Sequence, residues 1–234
     1  MEPNRPVVSH AGLGSRASGV LATNKVLRNT YWLLSLTLLF SGAMAGVSML
    51  IGAPYGLSLL CSLVALGLLW FAVPRTANSA KGIYVVFAIT GLLGFGLGPV
   101  LNAYVHGFAN GSQLIMMAFG MTGIAFLGLS GYAITSKKDF SFMRNFLFTG
   151  ILIAFCLGIV SLVAAMFGYP LQPLALTVSA MFAGLMCGLI LYQTGEIVNG
   201  GETNYVLATV TLYVSIYNLF TSLLHLLGAM AGEE

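Results

Sequence analysis

Few side chains in this sequence could do chemistry, and their placement limits what they could do. Gly128-Leu129-Ser130-Gly131 has a spacing that can present a serine nucleophile inside a membrane, provided a histidine lies within hydrogen-bond reach. His225 is the only histidine inside an apolar run. On helices that alternate across a bilayer, Ser130 falls near the inner end of its segment and His225 near the outer end of its own. At about 1.5 Å of rise per residue those depths differ by ~20 Å, whereas a nucleophile and its base must approach to about 3 Å. No serine hydrolase is expected. His106 falls in a short connection and reads as an exposed residue. Cys61, Cys156 and Cys187 each stand alone in apolar surroundings, the setting of a small hydrophobe rather than of a disulfide or metal ligand. No phosphate loop, dinucleotide fingerprint or zinc spacing is present, so neither an enzyme nor a resident cofactor or metal is expected.

Two further patterns involve polar groups inside apolar sequence. Glu196, with Gln193 one turn earlier, could act as a proton or cation relay. It could equally be a solvated residue at the interface, the reading favoured by Asn199 and Gly200 directly after it. The second pattern is longer. Asn204, Ala208, Thr211, Ser215, Asn218, Ser222 and His225 recur at alternating steps of four and three, one small-and-polar face along a whole helix. Such a face is costly against lipid and should look into a bundle or a wet cavity. Dry interhelical hydrogen bonding would explain it as well, and both readings stay open.

The elements that must carry these residues are membrane helices. Of 234 residues, 58% are hydrophobic and only 6% charged, against roughly 25% charged in a soluble domain. Lipid must be the solvent for most of the chain. Apolar runs near the ~20 residues that span a bilayer occur at 31–51, 55–73, 83–101, 112–135, 145–167, 171–192 and 204–229. Gly, Pro and polar residues mark the short breaks, and no linker separates two domains. With seven alternating spans, all nine Lys and Arg fall on one side. Bases stay cytoplasmic, which predicts an inside N-terminus and an outside C-terminus. The bases never form a stripe that could track phosphates, which excludes nucleic acid as a partner.

Three pairs, Gly42/Gly46, Gly94/Gly98 and Gly184/Gly188, have the four-residue spacing that lets helix backbones approach closely. The third run, with Gly91, Gly94, Gly96, Gly98 and Pro99, reads as a tight crossing point with a Pro-marked exit rather than as a broken helix.

The run Gly94-Phe95-Gly96-Leu97-Gly98-Pro99-Val100-Leu101, followed by Ala118 and by residues 122–126, resembles the signature of the Bax inhibitor-1 family. Three stretches are similar to its bacterial YccA branch: Asn24-Lys25-Val26-Leu27-Arg28-Asn29-Thr30-Tyr31, Lys137-Lys138-Asp139-Phe140-Ser141-Phe142, and Gly200-Gly201-Glu202-Thr203-Asn204-Tyr205 continuing through residues 212–220. The resemblance covers the chain from about residue 20 onward. It implies seven helices, the last wrapped by two three-helix layers. It implies as partner FtsH, the membrane-anchored AAA protease of the bacterial inner membrane, with its associated membrane complex. Proteins of that branch inhibit the protease and are engaged through an N-terminal cytoplasmic tail. The matching tail here is residues 1–30, which lacks apolar periodicity and reads as disordered; Arg16, Lys25 and Arg28 lie nearest the expected contact. Another branch leaks calcium under control of two aspartates, at positions that correspond to Gln193 and Ser215 here. Neither ionises, so the paired-carboxylate pH sensor is absent, although Asn218 of the same local motif is present.

The expectation is therefore an all-α integral membrane protein of the bacterial inner membrane. It has a tail (1–30), a seven-helix bundle (31–229) and a short outer end (230–234). Its expected role is to bind and inhibit an FtsH-type protease; the alternative is a calcium or proton leak channel along the polar face of the last helix.

Overall fold

A computed structural model describes residues 11–232, with side chains from residue 25 onward. The elements are α1 (Ala11–Leu50), α2 (Tyr55–Thr76), α3 (Lys81–Gly107), α4 (Gly111–Ser136), α5 (Met143–Met166), α6 (Gln172–Asn199) and α7 (Tyr205–Ala231). All seven are long and apolar enough to cross a membrane, α1 from Lys25 onward. Residues 11–30 of the expected tail are helical and continuous with that span. Residues 1–10, the side chain of Arg16, and Glu233 and Glu234 lie outside the described residues.

Helix ends follow turn chemistry. Gly52, Gly168 and Gly200 take left-handed backbone (φ +63°, +86° and +79°) just after α1, α5 and α6, which glycine does without a Cβ clash. Within α2 a π turn occupies Leu68–Ala72, and the Val73 amide donates to the Leu68 carbonyl five residues back. Pro74 follows at once. Its ring crowds the preceding turn and offers no N–H, and the wider turn absorbs that misfit. The exit expected at Pro99 is not found: α3 continues through it to Gly107. Close packing on α1 holds that stretch in place, and the Asn102 amide donates to the Met49 carbonyl at 3.1 Å. A proline is tolerated inside a membrane helix that its neighbours hold in place.

The helices form two triads around α7. In the first, α3 packs against both α1 and α2; in the second, α6 packs against both α4 and α5. α7 lies between them, against α1, α3, α4 and α6. Over their most apolar windows α7 is 56% buried and α3 50%, whereas α2 and α5 are 17% and 11% buried. α2 and α5 are thus the lipid-facing flanks. The main core joins Leu34, Val86, Ile89, Ile190, Leu212 and Leu219. A smaller one, from Leu114, Ala118, Phe220 and Leu224, fills the α4–α7 contact toward the end of α7.

One end of this bundle carries every described base. Asn204 donates its amide to the Ala77 carbonyl (3.0 Å) and to Asn78 Oδ1 (2.8 Å), and Asn199 donates to the Lys138 carbonyl at 3.0 Å. These bonds draw the α2–α3, α4–α5 and α6–α7 connections together. Lys25, Arg28, Arg75, Lys81, Lys137, Lys138 and Arg144 sit at this end and are all exposed.

Candidate functional site

The polar groups of α7 form a seam through the bundle. Its centre is Tyr213, 1% exposed. Its hydroxyl lies 2.6 Å from Ser41 Oγ on α1 and donates to the Thr90 carbonyl on α3 at 3.3 Å. One phenol therefore ties three helices. A buried phenol without such partners would cost about 1–3 kcal/mol for its unbonded hydroxyl.

One turn toward the basic end, Thr209 donates to the Tyr205 carbonyl at 2.7 Å and approaches the Thr30 carbonyl at 3.4 Å. Beside it, Thr194 Oγ1 of α6 meets Ser130 Oγ of α4 at 3.3 Å and the Tyr31 hydroxyl of α1 at 3.4 Å. Gln193, buried, adjoins Thr194. Thr30 is fully buried, and its hydroxyl has no partner among the described residues. Four helices thus contribute hydroxyls to one interior neighbourhood that contains no charged side chain from the stripe.

The residues singled out in sequence divide between roles. Ser215 is fully buried and donates to the Thr211 carbonyl at 2.7 Å; Asn218 donates to the Val214 carbonyl at 2.8 Å. Both bond back to their own helix, as in packed membrane segments. Thr211 is half-buried and Ser222 buried. His225 Nδ1 lies 2.7 Å from Ser179 Oγ on α6, and that hydroxyl also donates to the Ala175 carbonyl at 3.0 Å. The pair ties α6 to α7. Ser130 and His225 have separate partners, so no catalytic pair is assembled. Among the described residues no group of three His, Cys, Asp or Glu could hold a metal.

Glu196 is half-buried at the end of α6. Its carbonyl accepts the Gly201 and Glu202 amides at 2.8 and 3.1 Å, closing the helix. Lys25 and Arg28 open the α1 span, exposed.

The glycine pairs differ. A Cβ on Gly94 would collide with the Ser41 backbone, and one on Gly98 would come within 2.5 Å of Ser48 Cβ. That pair sits in the α1–α3 contact with Pro99 buried beside it. Gly188 meets Leu147 of α5, but nothing lies within 4 Å of Gly184. For Gly42 and Gly46 the expectation needs correction: neither has a neighbour within 4 Å. The face of α1 turned inward is Ser41, Ala45 and Ser48, itself a ridge of small residues. That ridge was visible in the sequence but masked by the adjacent glycines. Tyr213, Thr194 and Ser179 carried no such signal, because a lone hydroxyl in an apolar run fits any membrane helix.

The family model described as "Inhibitor of apoptosis-promoting Bax1" matches residues 23–232. An uncharacterised membrane protein of Vibrio cholerae is 48% identical over 92% of this chain and 93% of its own. An uncharacterised protein of Pseudomonas aeruginosa is 44% identical over 89% and 91%. The "Modulator of FtsH protease YccA" of Escherichia coli K12 is 44% identical over 90% and 93%. Matched from its first membrane span to the end of its last, the chain belongs to the Bax inhibitor-1 family.

Proposed function

We propose that this protein binds an FtsH-type AAA protease in a bacterial inner membrane and restrains its activity. The observation that carries the reading is the 44% identity, over 90% of the chain, to a relative named as a modulator of that protease. The bases gathered at one end support a cytoplasmic N-terminus and a periplasmic C-terminus. In this reading the segment ahead of Lys25, with Arg16, Lys25 and Arg28, is the handle the protease engages. The α1–α3 contact and the buried ties of α7 supply a bundle that resists extraction, so the engaged protease is occupied without product. The bonds that Ser215 and Asn218 make back to α7 support a packed rather than a conducting seam, with Gln193, Thr211, Ser222 and His225 as polar packing groups.

The test is a mild-detergent pull-down of tagged protein from bacterial membranes, full-length against a form lacking residues 1–20. Recovery of the protease with the full chain, weakened by truncation, is expected. Equal recovery from both forms would remove the tail mechanism. No recovery from either would shift the reading to a cation leak, measured as flux in liposomes.

A further inference from the structure

We propose that the α4–α5 connection binds the headgroup of an anionic phospholipid, with the acyl chains along the start of α5. The connection is a fixed turn. Phe140 is 8% exposed and fills the space over Gly195 of α6, where a Cβ would come within 2.7 Å of its ring. Asn199 donates to the Lys138 carbonyl at 3.0 Å. The Met143 and Arg144 amides donate to the Phe140 and Ser141 carbonyls at 2.9 and 3.0 Å.

Three exposed bases project from this turn: Lys137, Lys138 and Arg144. Lys137 has φ +50° at the end of α4, where glycine would be unstrained. The Lys138 side chain is exposed but does not run straight out from the turn. Its ammonium lies 3.4 Å from the Tyr132 hydroxyl and 6.0 Å from that ring's centre, folded back over α4 toward the membrane.

The start of α5 points the same way. Its first turn holds no acid, its N-cap Phe142 makes no side-chain cap, and Arg144 occupies that turn. A base at the positive end of a helix is unfavourable unless an anion answers it. The carboxylate of the connection does not answer it. Asp139 accepts the Ser141 amide at 2.8 Å, and that bond holds its carboxyl below the usual range. Phe142 and Phe146 stand 79% and 69% exposed beside the bases, at the level where aromatic rings meet lipid glycerol and upper acyl chain. Exposed cations on a fixed turn, an open helix start and adjacent apolar rings fit a phosphodiester carrying net negative charge and hydrocarbon. A zwitterionic headgroup would bring its own ammonium against three bases.

The full-length protein is purified in neutral detergent and titrated with phosphatidylglycerol or phosphatidylcholine, reading retained lipid by native mass spectrometry and the thermal midpoint. Phosphatidylglycerol is expected to be retained preferentially and to raise the midpoint more. K137Q/K138Q should weaken that retention about fivefold for each base removed, while K137R/K138R keeps it. R75Q/K81Q, on the same rim but another connection, should leave it intact. Equal retention of the two lipids overturns the proposal. So does an equal loss with R75Q/K81Q, which would mean diffuse rim charge, or equal stabilisation by inorganic phosphate, which would mean a soluble-anion site.

Discussion

The hydroxyls of Tyr213 and Ser41 meet at 2.6 Å in the buried centre of the bundle, joining α7 to α1. Tyr213 also reaches α3 through the Thr90 carbonyl. Tyr213→Phe is expected to cost about 1 kcal/mol, the usual net worth of one hydrogen bond, with membrane averages nearer ~0.6. Because the two hydroxyls share one bond, Ser41→Ala on top of Tyr213→Phe should cost less than the sum. Thermal or denaturant unfolding in detergent of the four proteins in the cycle measures this coupling.

Side chains added to the glycines should separate the inward pair from the outward one. Gly98→Leu drives a side chain into Ser48 and the Ala45 carbonyl and should destabilise by at least about 1–3 kcal/mol through overpacking. A Cβ at Gly42 meets nothing within 4 Å and that face is exposed, so Gly42→Leu should stay within about 0.5 kcal/mol. The ranking of thermal midpoints is the readout, and equal losses would mean that α1 is rotated relative to this arrangement.

Asn204 closes the start of α7 by accepting the Val206 and Leu207 amides at 2.9 and 3.2 Å while holding the α2–α3 turn. Asn204→Ala should cost about 1–2 kcal/mol. Asn204→Asp keeps the cap acceptor but cannot donate to Ala77 and Asn78, so it should recover only part of that loss.

Acid should loosen the α4–α5 turn through Asp139. Its bond to the Ser141 amide lowers the folded carboxyl below the unfolded value, which is about 3.9. The stabilisation is complete above the unfolded value and disappears as pH falls through the folded one. Asp139→Asn should abolish this acid step, visible as a Ser141 amide protection factor, taken against the intrinsic exchange rate at each pH, that no longer falls in the acid range.

Asn218→Leu separates the two functional readings. Its amide is bonded to the Val214 carbonyl of its own helix, so the substitution should leave protease recovery in the pull-down unchanged. A cation flux in liposomes that this substitution abolishes would favour the leak instead.

Sequence by itself determined the solvent, the spans and their ends. Hydropathy located seven helices, and Gly52, Gly168 and Gly200 marked turns that do take left-handed backbone. The polar periodicity of α7 foretold its interior position, since hydroxyls and amides at that density have nowhere else to go in lipid. What the tertiary structure alone decided was how the other helices are rotated. In water an apolar stripe tells which face turns inward. In a bilayer both faces of α1 are apolar or small, and lipid is no worse a neighbour than protein. Gly42 and Gly46 therefore looked as suited to packing as Ser41, Ala45 and Ser48, and only contact with Gly94 and Gly98 distinguishes them. The partners of Tyr213, Thr194 and His225 were hidden for the same reason. Each bonds to a residue on another helix, Ser41, Ser130 and Ser179, more than 40 positions away in sequence. No local pattern can name such a partner.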